Sequence, residues 1–423
     1  MNALVILGVF FILLIIKVPV AFAMLIASGV SLYILQLAPL TAVAAAAMNS
    51  LHNFTLLMIP FFIFAGTVMT RGGMARKLCT WCGTVFNRFR GGPGYVAVVS
   101  SVLFSTMTGS ASATCASIGQ MMLPEMVEKG YRKPRALAII STGGILGPVI
   151  PPSIMFVLYG VSSGVSITSL FLAGILPGLL IAVLLCGTVC LTAKKDGLKA
   201  EEGKFSASEF FRTMWDAKWA ILVPVIILGG IYSGIFTPTE AGAVASVFAI
   251  IVTLFIERTL NLRGLLSCAA DSAVTASIIF LLLSAAGVFG RVMTLAQVPQ
   301  QVTAGIIYLA NNQWQALLLI NICLLLLGTV VDGAAAIVIL TPLLLPVAEY
   351  FGINPIHFGL IVCFNLSLSS TTPPIGTALF VCSLIGETPV EKIIREIWPF
   401  LTALIVALAI INIFPWFSLA LIR

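Results

Sequence analysis

Asp332 sits in the stretch GTVVDGAAA (328–336) and is the only carboxylate between Asp271 and Glu349, with almost wholly apolar residues on either side. An ionised side chain at membrane depth is costly enough to mark a functional site by default. Hydroxyls gather in three further stretches interrupted by glycine or proline: MTGSASATCASIG (107–119), STGGILGPVIPPS (141–153) and SLSSTTPPIGT (367–377). A hard cation such as Na⁺ binds where several oxygens replace its water shell. Ser110, Ser112, Thr114, Thr142, Ser369, Thr371 and Thr372 offer hydroxyls for that purpose, the backbone around Gly143 and Gly333 offers carbonyls, and Asp332 adds a formal negative charge. The same interruptions present helix N-termini, whose unpaired N–H groups favour an anion. One region is thereby equipped for cations and a carboxylate together. Against this, any single hydroxyl in a membrane helix is equally well explained by a bond to its own preceding turn, and Asp332 is also suited to carrying a proton.

These stretches need apolar elements to hold them. Hydrophobic residues make up 60% of the 423 and charged residues 9%, against roughly 25% charged in soluble domains. Several runs approach the roughly 20 residues of a spanning helix, so the fold class is an all-α polytopic membrane protein. Its 21 prolines and 36 glycines imply that some helices are broken. The net charge of +7 sets topology rather than recruiting nucleic acid. No phosphate-cradling loop of the ATPase type occurs, which argues against ATP hydrolysis. Residues 1–16 lack a basic leader and precede a second apolar run, so they are not read as a cleavable signal. Nine cysteines are scattered, and the lone CxxC of Cys79 and Cys82 is read as helix packing rather than a metal site. His52 and His357, near segment ends, are read as interfacial.

Basic residues orient the chain, because they accumulate on the cytoplasmic side. Arg71, Arg76, Lys77, Arg88 and Arg90 mark one inner loop, and Lys129, Arg132, Lys133 and Arg135 mark the next. The apolar stretch between them, about 94–124, must enter and leave on the same face, as a re-entrant hairpin. No Lys or Arg occurs between residues 292 and 391, so a second hairpin around Asp332, about 314–346, enters from the outer face. Its flanks of about 14 residues reach roughly 21 Å, short of a hydrocarbon core roughly 30 Å thick. With the N-terminus outside, only Arg291 and Arg423 of the 22 basic residues fall on the outer side. Leu78, Trp81, Cys82, Val85, Phe86 and Phe89 recur at helical spacing beside arginines, as do Phe211, Met214, Trp215 and Trp219 beside Arg212 and Lys218. Both sets predict amphipathic helices on the cytoplasmic surface, the second being equally compatible with the end of a longer apolar segment.

Pro124, Pro151, Pro152 and Pro177 recur 222 positions later as Pro346, Pro373, Pro374 and Pro399, and FAGTVMTR (64–71) resembles SAAGVFGR (284–291). Two repeats of opposite topology follow, each with a re-entrant hairpin and a broken helix, the architecture of secondary transporters. The domain reading is therefore 1–50, N-terminal spanning helices; 51–192, repeat one; 193–271, a cytoplasmic amphipathic segment and central scaffold helices; and 272–423, repeat two. The spacing sets Ser110 opposite Asp332.

On GSASATCASIGQMMLPEM (109–126), GGILGPVIPPS (143–153), GIFTPTEAGAVA (234–245) and DGAAAIVILTPLLLP (332–346), the chain resembles the large membrane subunit of tripartite ATP-independent periplasmic (TRAP) transporters over essentially its whole length. The resemblance implies a Na⁺-coupled symporter of the bacterial inner membrane, with a scaffold and a transport domain that slides as an elevator. It implies a small four-helix membrane subunit, here on a separate chain, and a soluble periplasmic binding protein that delivers an organic acid, of the sialic acid or C4-dicarboxylate type. It also implies that hairpin tips and Pro-Pro breaks bound both sites. The cation side is then Ser110, Ser112, Thr142, Gly143, Asp332, Gly333, Thr371 and Thr372, and the substrate side Ala111, Thr114, Pro151, Pro152, Ser153, Pro373, Pro374 and Thr377, with no basic residue in either. Glu240 is read as part of a helix–helix turn. Two other readings stay open. One is a di- or tricarboxylate symporter working alone, against which the lack of a Ser-Asn-Thr hairpin motif counts. The other is an intramembrane hydrolase using Ser110 and a histidine, which a single catalytic hairpin would suit better than two.

Overall fold

The computed structural model describes residues 2–39, 41–200, 206–373 and 376–422, and every regular element among them is helical. Seven helices are long and apolar enough to cross a membrane, or up to nine if each of two bent pairs is one span. The protein is an all-α polytopic membrane protein. The N-terminal helices Asn2–Ile15, Val20–Leu35 and Thr41–Leu51 have only 14, 16 and 11 residues, so each alone falls short of a roughly 30 Å core.

Two helix–turn–helix pairs lie where the hairpins are expected. The first runs out along Gly92–Thr108 and back along Ala111–Glu128. Pro93 starts its outgoing arm, where the missing N–H costs nothing, and Gly109 ends it at φ +58°, with its N–H on the Ser105 carbonyl at 3.0 Å. Only glycine takes that left-handed turn without a Cβ penalty, and a Cβ there would also lie 2.8 Å from the Pro152 carbonyl. The second hairpin pairs Gln313–Gly328 with Gly333–Tyr350. Asn312 caps its first arm, accepting from the Gln315 N–H at 2.9 Å. The preceding helix, Val298–Leu309, meets that arm at 119°, so the chain folds back sharply just before the hairpin begins.

Two helices break where proline and glycine cluster. Lys133–Gly144 gives way to a single turn, Leu146–Val149, then to Pro151 and Pro152, joined by a cis peptide, and resumes as Ile154–Ser163. Pro355–Ser369 breaks likewise and resumes as Thr377–Ile385. Helix bounds follow the proline spacing: Ala111 to Gly333 and Glu128 to Tyr350 are each 222 positions apart, as are Lys133 and Pro355. The two halves exchange elements. The return arm Ala111–Glu128 packs on the resumed helix Thr377–Ile385, and the return arm Gly333–Tyr350 packs on the resumed helix Ile154–Ser163.

Around this centre, Met58–Arg71 packs on Pro238–Ile250 and on the 34-residue helix Leu262–Leu295. Thr237 and Glu240 form a capping box that starts Pro238–Ile250, satisfying two otherwise orphan backbone donors; this accounts for Glu240. The amphipathic helices Met74–Phe86 and Ala207–Asp216 pack together through Trp81 and Phe210, ring centroids 5.9 Å apart. The second is a separate element bent 63° from Lys218–Tyr232 rather than the end of a longer span. Its Phe211 and Trp215 are exposed, and Lys218 Nζ lies 3.8 Å over the Trp215 ring, an arrangement suited to a membrane–water boundary.

Buried polar stitches that the sequence reading did not anticipate tie the centre together. Asn321 Nδ2 donates to Asn412 Oδ1 at 2.9 Å, and Asn365 donates to Asn321, linking one hairpin arm to two neighbouring helices. Elsewhere, exposed Arg132 and buried Arg135 share Asp196 and Glu396.

Candidate functional site

The two hairpin tips and both resumed helices open onto one cavity of about 310 Å³. Each contributes the start of a helix, and the caps explain why the helices start there. Ser110 caps Ala111–Glu128, with its hydroxyl 3.5 Å from the Ala113 N–H. Asp332 caps Gly333–Tyr350, accepting from the Ala334 N–H at 3.0 Å through Oδ2. Ser153 caps Ile154–Ser163, accepting from the Phe156 N–H at 3.3 Å. Gly376 precedes Thr377–Ile385 without a side-chain cap. First-turn residues of all four helices line the cavity: Ala111 and Ser112, Ile154 and Met155, Gly333 and Ala334, and Thr377. Four positive helix ends facing one space favour an anion there. The hairpin turns bring the opposite partial charge, since Gly109 and residues 329–331 follow helix C-termini.

Of the sequence candidates, Ser110, Ala111, Ser112, Asp332, Gly333 and Thr377 line this cavity. The Asp332 carboxylate is exposed to it, and its Oδ2 bond to Ala334 is its one hydrogen bond among the described residues. A carboxylate with spare acceptor capacity, sharing a cavity with serine hydroxyls and two helix C-termini, is an oxygen set that fits Na⁺. The remaining candidates lie behind that surface. Thr142 is buried and bonds the Ala138 and Ile139 carbonyls at 2.9 and 3.1 Å. Thr371 and Thr372 both bond the Leu368 carbonyl, at 3.1 and 2.9 Å. Ser369 bonds Leu366 at 2.7 Å. Thr114 is held by the Ser110 carbonyl and the Thr108 hydroxyl, each at 2.9 Å. Gly143 packs on Ser101, where an added Cβ would meet Oγ at 3.1 Å. Pro151 and Pro152 are buried, and Pro152 braces the first hairpin tip at Gly109. Pro373 is half-buried at the second break, and Pro374 lies outside the described residues.

Residues that sequence reasoning missed complete the walls. Met155, Leu366 and Ser370 come from the breaks, and Thr275, Ile278 and Ile279 from the helix Leu262–Leu295. Ser370 lies in the hydroxyl-rich stretch 367–377 without having been singled out, and the apolar residues carry no mark in sequence, because an apolar helix gives no signal of which face meets a cavity. A basic residue is also nearer than expected. Arg71 lines an adjoining cavity of about 270 Å³ that shares Ser110, Ile154 and Thr275 with the first.

Residues 7–417 match the family described as "Tripartite ATP-independent periplasmic transporter, DctM component". The chain belongs to this family of TRAP transporter permeases. It is 36% identical to the sialic acid TRAP transporter large permease protein SiaM of Vibrio cholerae, over 95% of this chain and 94% of that protein. It is 38% identical to the C4-dicarboxylate TRAP transporter large permease protein DctM of Pseudomonas aeruginosa, over 88% and 86%. It is also 38% identical to the isethionate TRAP transporter permease protein DctMQ of Oleidesulfovibrio alaskensis, over 96% of this chain; there the chain spans 64% of the relative's length. These relatives are permeases, and the DctM family is a family of transporters, not enzymes. The fold is shared with the YdaH transporter of Alcanivorax borkumensis, at a TM-score of 0.66 and 14% identity over 90% of both chains. MtrF of Neisseria gonorrhoeae follows at 0.56 and 14%, over 88% of this chain and 83% of that one.

Proposed function

We propose that this TRAP permease is the large membrane subunit of a Na⁺-coupled symporter that imports an organic acid across the bacterial inner membrane. The observation that carries the proposal is the convergence of four helix N-termini, one of them capped by Asp332, on a single cavity. The N-termini hold a carboxylate, and Asp332 with the hairpin-turn carbonyls and Ser110 holds Na⁺. Bound Na⁺ offsets the Asp332 charge and strengthens the anion site, so cargo and cation cross together. Each cation moved inward gains about 2.3 kcal/mol per 100 mV of membrane potential.

The recurring helix bounds and exchanged packing support two inverted repeats, with the N-terminus on the periplasmic side and hairpins entering from opposite faces. Both hairpins and both broken helices then move as one transport domain against a scaffold containing Met58–Arg71 and Leu262–Leu295, an elevator. A small four-helix subunit would cover apolar scaffold faces otherwise met by the lipid bilayer, and a soluble periplasmic binding protein would deliver the cargo. The names of the relatives support sialic acid, a C4-dicarboxylate or another small organic acid as that cargo.

The test is uptake into proteoliposomes holding both membrane subunits, with the binding protein outside and an inward Na⁺ gradient. Saturable uptake that requires all three components and collapses when choline replaces Na⁺ is expected. Uptake by this chain alone would overturn the tripartite reading in favour of a stand-alone symporter, and uptake indifferent to Na⁺ would overturn the coupling.

A further inference from the structure

The cavity beside the site has one basic side chain on its walls. Among the described residues, Arg71 is the only Lys or Arg lining either cavity. It ends the helix Met58–Arg71, and its guanidinium donates through Nη1 to Ser267 Oγ at 2.9 Å and through Nη2 to Asp271. Asp271 lies one turn before Thr275, which belongs to the wall shared by the two cavities and donates to the Asp271 carbonyl at 3.0 Å. The Arg71 and Asp271 side chains are 41% and 54% exposed. A pair this exposed is weakly held where water reaches it. The contrast is Lys77 with Glu257, whose carboxylate is 8% exposed and has the burial of a structural pair.

We propose that the Arg71–Asp271 pair is an exchangeable anion station on the cytoplasmic exit path of the cargo. The inference rests on the proposed transport of an organic acid. A carboxylate leaving the four helix N-termini passes the Ser110–Ile154–Thr275 wall into the second cavity and takes the place of Asp271 on Arg71. The planar guanidinium presents five donors in a fork that matches a carboxylate, and an exposed pair releases its partner at little cost. Asp271 re-forms the pair once the cargo has gone, so Arg71 does not retain it. Basic residues collect on the cytoplasmic side, which places this station on the release face and makes its effect one-sided.

The test uses the double variant Arg71→Gln/Asp271→Asn, which leaves neither charge unpaired. Both membrane subunits are reconstituted with the binding protein, and sialic acid, succinate and isethionate serve as probes. Half-saturation is measured separately from the lumen, by counterflow, and from outside, by uptake. The expected result is a rise of at least about tenfold on the cytoplasmic face with the outer value within about twofold, and a smaller rise for Arg71→Lys, which keeps a charge but loses the fork. Unchanged values, or equal changes on both faces, overturn the station. If the double variant melts well below the unsubstituted protein in detergent, Arg71→Lys decides by the same asymmetry. Failure of the unsubstituted assembly to transport any of the three acids overturns the proposed function, and the station with it.

Discussion

Replacing Asp332 by Asn separates its two roles. The carboxylate caps Gly333–Tyr350 through a 3.0 Å bond from the Ala334 N–H, and Asn caps as well as Asp. What Asn loses in the absence of Na⁺ is the attraction between a carboxylate and the positive helix end, at most about 1 kcal/mol. What it loses in the presence of Na⁺ is the Coulomb energy with the cation, about 1 kcal/mol at 4 Å in water and about 4 kcal/mol at an effective dielectric of 20. Asp332 is exposed to the cavity, so a value between these limits applies, about 2.5 kcal/mol, or a roughly 60-fold weaker Na⁺ affinity. The assay is thermal melting of the purified protein during a Na⁺ titration at constant ionic strength, with choline as the replacement. Ligand stabilisation grows as the logarithm of the ratio of ligand concentration to dissociation constant, so the variant curve shifts to higher Na⁺ with little change at zero Na⁺. A shift below about fivefold, under the weaker limit, refutes the idea that Asp332 faces the cation. A large loss of stability without Na⁺ refutes the separation of cap from charge.

Two other substitutions test the frame around the site. Gly147→Ala places a Cβ 2.6 Å from the Ser110 carbonyl carbon and oxygen. The obstacle is backbone at the hairpin tip, so overpacking of about 1–3 kcal/mol falls on the site itself. A lower melting temperature together with at least a tenfold loss of Na⁺-driven uptake is expected, and unchanged uptake would count against a fixed tip. Arg135→Ala removes a guanidinium, 8% exposed, that faces Asp196 and Glu396. Breaking a buried pair typically costs 3–5 kcal/mol, but Arg132 keeps contact with both acids at 3.3 and 2.8 Å. The expected cost is therefore near the lower end, about 3 kcal/mol, measured by chemical denaturation in detergent.

The hairpins were legible because a membrane penalises what they contain. A lone carboxylate with flanks too short to span, and a polar stretch bounded on both sides by arginines and lysines, each leave few geometries open, and the turns fall at Gly109–Ser110 and residues 329–332. The division of the hydroxyls was not legible. Thr142, Thr371 and Thr372 turn back onto their own helices while Ser110 and Ser112 meet the cavity, and sequence spacing is silent on that choice because both arrangements satisfy a threonine. Arg71 escaped notice for a related reason. Charge counting located it on the inner face, but its approach to the site depends on how Met58–Arg71 packs on Leu262–Leu295. The Asn321–Asn365–Asn412 stitch had a usable signal, since isolated amides in apolar helices commonly bond across to neighbours.

The exchanged packing bears on why the two hairpins carry different chemistry. Each return arm lies on the resumed helix of the other half, so neither half can enclose a site by itself, and both tips face the same space. Two neutral tips would leave cation binding to hydroxyls and carbonyls alone, and two charged tips would set a pair of carboxylates against each other and against an anionic cargo. With Ser110 at one tip and Asp332 at its counterpart 222 positions on, the site carries one negative charge. On the proposed coupling, a single Na⁺ would neutralise that charge and a second would leave a net positive space for a carboxylate. An acid introduced at Ser110 should therefore strengthen cation binding while weakening the cargo, and Ser110→Asp is the substitution that would separate these two requirements.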